Sequence, residues 1–277
     1  MTKMTILAAG VFAAGLASAE IASANVVGYS SSSFSANKNF IVGAQFADCT
    51  SANDEISFDS LVTPTRAGAW GDGEDDTMGN APKLMIWTGT GYEYFYYISD
   101  ATYDEDRDYE SVGYDCWADR DGIILNDADK TSLGNGCWIR MQDTNGGLTF
   151  KGQVDDTDTY SIPVEANKNK IVANPYPISL DYAKLAVADG IIAGAWGDGE
   201  DDTMGDAAKL MVWTGSGYEY YYYISDATYD EDRDYEAVGY NCWADRDGII
   251  LTSSDQIDVG VGFWVRSPKA GSLVFSK

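Results

Sequence analysis

Histidine is absent from all 277 residues. Without an imidazole the chain has no Ser-His-Asp or Cys-His dyad, no His-ligated zinc and no proton shuttle near neutral pH, which closes most hydrolase and metalloenzyme mechanisms. Positive charge is scarce: 18 Lys and Arg stand against 44 Asp and Glu, for a formal net charge of −26. Nucleic acid and anionic membrane surfaces would both be repelled, so neither is expected as a partner. No segment past the N-terminus approaches the ~20 consecutive apolar residues that a membrane-spanning helix needs. What is present is 45% hydrophobic and 13% aromatic, too apolar for an acidic disordered chain and long enough for one large domain or two ordinary ones.

The first residues hold Lys3, an apolar run from Ile6 to Leu16, and then Ala17-Ser18-Ala19, a small-x-small pattern. This reads as a secretory signal peptide over residues 1–19, with Ala22-Ser23-Ala24 as a second cut site. The expected location is secreted or cell-surface, with the periplasm as an alternative. Export makes the four cysteines, Cys49, Cys116, Cys137 and Cys242, potential disulfide partners with three full connectivities.

An internal repeat organises the rest. Residues 67–125 recur at 193–251 with an offset of 126 and 7 differences in 59 positions. Outside them, 35–46 matches 165–177 only loosely, and GNGCWIRM (134–141) matches GVGFWVRS (260–267). The repeat predicts an internal duplication giving two tandem domains, residues 20–154 and 155–277. Cys116 and Cys242 occupy equivalent positions, whereas Cys137 corresponds to Phe263, so no bridge is shared by both halves. A Cys116–Cys137 bridge is the favoured pairing, leaving Cys242 as a buried thiol or an intermolecular partner.

Each half reads as β. Residues 25–34 and 37–46 are short runs with β-branched and aromatic residues and no helical period. KLMIW, TGTG and YEYFYYI (83–98) have the form of a hairpin turned by Thr and Gly. Residues 121–125, 136–141 and 147–154 add strands, and SLDYAKLAV (179–187) is the one helix candidate, with Leu180, Ala183, Lys184 and Val187 at helical spacing. The expected fold is all-β, two β-sandwich-like domains in series with at most one short helix each.

NPYPISLDYAKL (174–185), KLMVWTGSGYEYYYYI (209–224) and GVGFWVRSPKAGSLVFSK (260–277) together resemble a small β-rich module that recurs in large secreted and surface proteins of Gram-negative bacteria. The resemblance covers most of the second half. The first half keeps the hairpin and the closing pair but has Gly43-Ala44-Gln45-Phe46 where the Pro motif would stand. The resemblance implies surface display or interaction, with no catalytic role and no account of the acidic segments.

Those segments concentrate the charge. Residues 67–122 hold fourteen acids and three bases, and residues 193–248 repeat that balance. Three acidic groups recur in each: Asp72, Glu74, Asp75 and Asp76; then Asp104, Asp106 and Asp108; then Asp119 and Asp121. Their copies are Asp198, Glu200, Asp201 and Asp202; Asp230, Asp232 and Asp234; and Asp245 and Asp247. Carboxylates at alternate positions beside Gly suit Ca²⁺, which takes roughly six to eight oxygens, better than Mg²⁺, which takes one or two carboxylates plus waters. The 104–108 group copies the first three ligand positions of an EF-hand loop, but Tyr109 replaces its turn Gly and Asp115 stands where the closing Glu belongs. The alternative is that these are solvated loops of a highly soluble protein.

Trp70, Trp87 and Tyr92, with their copies Trp196, Trp213 and Tyr218, are candidates for a sugar-stacking platform, against the plainer reading that they fill the core. Paired carboxylates can run glycoside hydrolysis, yet these acids cluster in Gly- and Asp-rich stretches rather than apolar pockets, and a site present twice suits avidity better than catalysis. The expectation is a non-enzyme, secreted or surface-bound, with a structural, adhesive or assembly role and Ca²⁺-binding loops. Its partner would be an extracellular protein or glycan, or a second copy of itself. A Ca²⁺-dependent carbohydrate-binding protein is the first alternative and a glycoside hydrolase the second.

Overall fold

Period-two burial is plain in Thr159–Val164, where Tyr160, Ile162 and Val164 are buried and Thr159, Ser161 and Pro163 face outward, as a strand covered on one face requires. A computed structural model describes residues 27–47, 55–57, 63–64, 81–98, 116–125, 130–141, 145–194, 207–225 and 241–277. Within them the chain is nearly all β.

The first ten strands are β1 (Val27–Phe34), β2 (Asn39–Gly43), β3 (Glu55–Ser57), β4 (Thr63–Pro64), β5 (Lys83–Trp87), β6 (Tyr92–Ile98), β7 (Cys116–Ala118), β8 (Lys130–Ser132), β9 (Gly136–Arg140) and β10 (Gly146–Gln153). They form a five-stranded sheet in the order β2-β9-β5-β6-β7, a three-stranded sheet β1-β10-β4 and a pair β3-β8. The next ten are β11 (Thr159–Val164), β12 (Asn169–Ala173), β13 (Leu180–Asp181), β14 (Leu185–Ala188), β15 (Ala208–Trp213), β16 (Tyr218–Ile224), β17 (Cys242–Ala244), β18 (Gln256–Ile257), β19 (Gly262–Arg266) and β20 (Gly271–Ser276). Their sheets are β12-β19-β15-β16-β17, β11-β20-β14 and β13-β18, the same plan again. Every ladder between these strands is antiparallel, and each sheet draws its strands from one side of residues 154–158. Between the sheets lies a core of buried apolar side chains, Phe34, Leu84, Trp117, Ile139 and Phe150 among them on one side and Ile162, Leu210, Trp243, Phe263 and Phe275 on the other.

Two expectations change. Residues 179–187 form no α-helix: Leu180 pairs with Ile257, Leu185 with Phe275 and Val187 with Leu273, and only Tyr182–Lys184 turn as a single 3-10 element between two strands. The helical spacing of the apolar residues yields to sheet partners, because tertiary pairing overrides a weak local preference. The Cys116–Cys137 bridge is also corrected. Cys116 lies on β7 and Cys137 on β9, with β5 and β6 between them, and the two thiols are not joined. Three strand spacings of ~4.8 Å far exceed the roughly 4.4–6.8 Å that a disulfide spans between Cα atoms. Burial pushes the Cys137 thiol up to about 12.

Candidate functional site

The hairpins that carry the candidate aromatics are closed by threonine. Thr88 N–H donates to the Gly91 carbonyl at 2.9 Å and the Thr88 hydroxyl to the same oxygen at 3.1 Å, while Gly89 sits at φ +96°. Thr214 and Gly217 repeat the arrangement. The register, Trp87 opposite Tyr92 and Trp213 opposite Tyr218, puts Trp87 with Tyr92 and Tyr94, and Trp213 with Tyr218 and Tyr220, on one face of the sheet.

That face turns toward the other half of the chain. The indole N–H of Trp87 donates to the Asn169 carbonyl at 3.0 Å, and that of Trp213 to the Asn39 carbonyl at 2.7 Å. Trp87 meets Trp264 edge-on with ring centroids 5.6 Å apart, and Trp213 meets Trp138 at 5.7 Å. Gly43 N–H donates to the Gly260 carbonyl at 3.2 Å, and Ala173 N–H to the Gly134 carbonyl at 2.9 Å. Each contact has its reciprocal, as in an interface of two-fold type. Ile41, Trp138, Ile171 and Trp264 are the buried centre of this seam.

Close approach of the backbones makes it possible. A Cβ on Gly43 would strike the Ala173 side chain, and one on Gly262 would lie 2.5 Å from Ile41 Cγ2 and 2.9 Å from the Val172 carbonyl oxygen. Trp87 and Trp213 thus take part in joining the halves, each remaining partly exposed. Their hairpin partners end at the rim. Tyr92 and Tyr218 stack against them at 5.1 and 5.0 Å, and Tyr94 and Tyr220 follow at 6.4 Å, exposed. Lys83 Nζ stands 5.3 Å from the Tyr94 ring and Lys209 Nζ 5.9 Å from the Tyr220 ring, within reach of cation–π attraction. Burial raises the Tyr92 phenol above its ordinary value, a hydrogen bond with Trp138 pulls it partly back, and the Tyr218 and Tyr94 phenols add to the rise.

Of the acidic candidates, Asp119, Asp121, Asp245 and Asp247 are placed. Asp119 Oδ1 accepts the N–H groups of Asp121 and Ile123, both at 2.9 Å, and Asp245 Oδ1 those of Asp247 and Ile249 at the same distance. Gly122 and Gly248 follow at φ +81° and +79°, and their N–H groups close on the carbonyls of Asp119 and Asp245. In each copy this is a four-residue turn whose last residue is a left-handed glycine, and Asp at its first position is there to satisfy the turn. One carboxylate oxygen of each pair is thereby committed to backbone, and among the described residues no three acids or cysteines converge on one point. The turn alone falls short of a calcium shell. Burial, the largest effect, raises the Asp245 carboxyl above its ordinary range, while the Ile249 and Asp247 amides pull it back down.

The remaining candidates, Trp70, Asp72, Glu74, Asp75, Asp76, Asp104, Asp106, Asp108, Trp196, Asp198, Glu200, Asp201, Asp202, Asp230, Asp232 and Asp234, lie outside the described residues, as do the signal segment and Cys49. Their points of attachment are described. β5 begins at Lys83, opposite Tyr96 near the end of β6, and β7 begins at Cys116, opposite Ile98, where β6 ends. Segments 65–80 and 99–115 thus join the five-stranded sheet at one end, and 195–206 and 226–240 join the second sheet in the same way. The 119–122 turn lies further back along β6, beside a groove of 590 Å³ lined by residues that include Glu93, Tyr94, Asp119 and Arg120.

The sequence reading missed the seam. Its one local signal is the pair of glycines before each seam tryptophan, Gly134-Asn135-Gly136 and Gly260-Val261-Gly262, small residues that let another backbone approach. The glycines of the hairpin turn, by contrast, have open space around them. No protein-family model matches the chain, and searches of curated proteins and of solved structures return no match.

Proposed function

We propose that the chain is a non-catalytic, secreted or cell-surface protein in a structural, adhesive or assembly role, whose acidic segments bind Ca²⁺. The observation that carries this reading is the reciprocal seam. It holds two sheets of one plan against each other, so two nearly identical acidic segments of the sequence are anchored on one body instead of hanging from a linker. Fourteen acids in each repeated stretch are costly to hold together without a neutralising cation. Asp119 and Asp245 each commit one oxygen to backbone, which favours the 72–76 and 104–108 groups and their copies at 198–202 and 230–234 as the main source of metal ligands. The repeat itself supports the reading of an internal duplication, and the resemblance to modules of bacterial surface proteins supports surface display.

Millimolar Ca²⁺ is expected to raise the melting temperature of the full chain in calorimetry and EDTA to lower it. Superimposable melts in both conditions overturn the calcium reading. Carbohydrate binding is the second reading, favoured by the exposed Tyr94 and Tyr220 at the rim of the seam. A glycan array in Ca²⁺ and in EDTA decides it, since silence across the array in both removes it.

A further inference from the structure

The two three-stranded sheets have unequal edges. β1 and β11 hold the same place, each bonded on one side to the long strand β10 or β20. Aligned on those neighbours, Ser33, opposite Gly147, stands where Pro163 stands opposite Ser272. A proline within a sheet sits on an edge strand, where its missing N–H would face away from the neighbouring strand. Pro163 therefore blocks β11 against a further strand, which is one of the ways natural sheets protect their edges. β1 carries no such block. Val-Gly-Tyr-Ser-Ser-Ser-Ser-Phe runs for 8 residues without a proline or a charge, in a chain of net charge −26. Tyr29, 80% exposed, faces solvent together with Ser31 and Ser33, while the Ser30 hydroxyl turns inward and donates to Gln45 Oε1 at 2.6 Å. Among the described residues no strand pairs with the outer side of β1.

We infer that β1 is a self-association edge, on which the β1 strands of two copies of the chain pair antiparallel about a two-fold axis at Ser31 and join their three-stranded sheets into one of six strands. An unprotected edge is a template for strand addition, with main-chain hydrogen bonds supplying the affinity. A second copy is the occupant because, of the two equivalent strands, β11 is blocked and β1 is not, so that β1 meets its own copy in a self-complementary contact that uses up both edges and closes at the dimer. A register centred on Ser31 keeps the outward side chains on one face and sets Tyr29 of each copy across from Ser33 of the other. It also brings no carboxylate of either strand against another, in a molecule whose charge otherwise opposes association.

This inference rests on the assembly reading above and gives it a surface separate from the acidic segments. Light scattering over a concentration series, on the full chain in Ca²⁺ and in EDTA, tests it. Wild type is expected to dimerise in both conditions, and Ser33→Pro, which copies the second half's own residue, to dimerise at least tenfold more weakly while melting with wild type at concentrations low enough that both are monomeric. A wild-type chain that stays monomeric, or a Ser33→Pro chain that dimerises as wild type does, overturns the inference. A dimer that EDTA dissolves and Ser33→Pro spares overturns it as well, and leaves calcium-mediated assembly standing. Should Ser33→Pro not fold, Ser31→Lys and Ser31→Glu decide: monomers when separate and dimers when mixed uphold the edge, whereas dimers when separate, or a mixture that stays monomeric, overturn it.

Discussion

Asp245 shows how little of a residue's role its type reveals. In the sequence it belongs to an acidic cluster, and in the structure one of its oxygens accepts two backbone N–H groups, closing a turn. Its carboxyl is held above the ordinary range, first by burial. A raised pKa in the folded state means that the native protein binds the proton more tightly than the unfolded chain, so stability falls as pH rises from the unfolded carboxylate value through the folded one. Asp245→Asn keeps an acceptor oxygen and removes the charge. It is expected to match or exceed wild-type stability at pH 7 and to lose that advantage at pH 3. Asp245→Ala strands two N–H groups and is expected to cost about 1–3 kcal/mol. Urea denaturation of both variants at the two pH values checks the pair. A less stable Asn variant at pH 7 refutes the argument. The same division between type and place holds for Trp87 and Trp213, which the sequence could mark as large aromatics but not as donors to Asn169 and Asn39, 82 and 174 residues away.

Strand by strand, legibility followed how local the determinants are. The 83–98 and 209–224 hairpins could be read because the turn residues and the alternating aromatics lie in one short window. The 179–187 stretch could not, since its partners Ile257, Leu273 and Phe275 arrive from the far end of the chain. Strands β9 and β10 follow one another closely yet belong to different sheets, and only packing distinguishes that from a hairpin. Glycines divide in the same way. A Cβ on Gly262 meets Ile41 and the Val172 carbonyl, whereas one on Gly91 meets nothing within 4 Å. Gly262→Ala is therefore expected to cost about 1–3 kcal/mol by forcing the seam apart, and Gly91→Ala to stay within about 0.5 kcal/mol as a surface change. Thermal melts of the two variants provide the comparison, and equal shifts would count against the seam.

For the whole molecule the seam makes the two halves interdependent. The Trp138, Ile171 and Trp264 side chains find their cover across it, so removing one half exposes the other's aromatics to water. A single cooperative unfolding transition is expected, with coincident tryptophan fluorescence and far-UV circular dichroism. Two separated transitions would show halves that fold alone. Composition and order along the chain were enough to settle that the molecule is β-built, lacks imidazole chemistry, and repeats one acidic segment almost residue for residue. Those follow from residue counts and from patterns of period two, which every strand carries within itself. What only the tertiary structure decided is which face meets which: that the hairpin tryptophans are joints between halves, that Asp119 and Asp245 serve turns, and that Cys116 and Cys137 stand strands apart. Such facts depend on close packing and hydrogen bonds between residues far apart in sequence, and a backbone meets its distant partner only once the chain has folded.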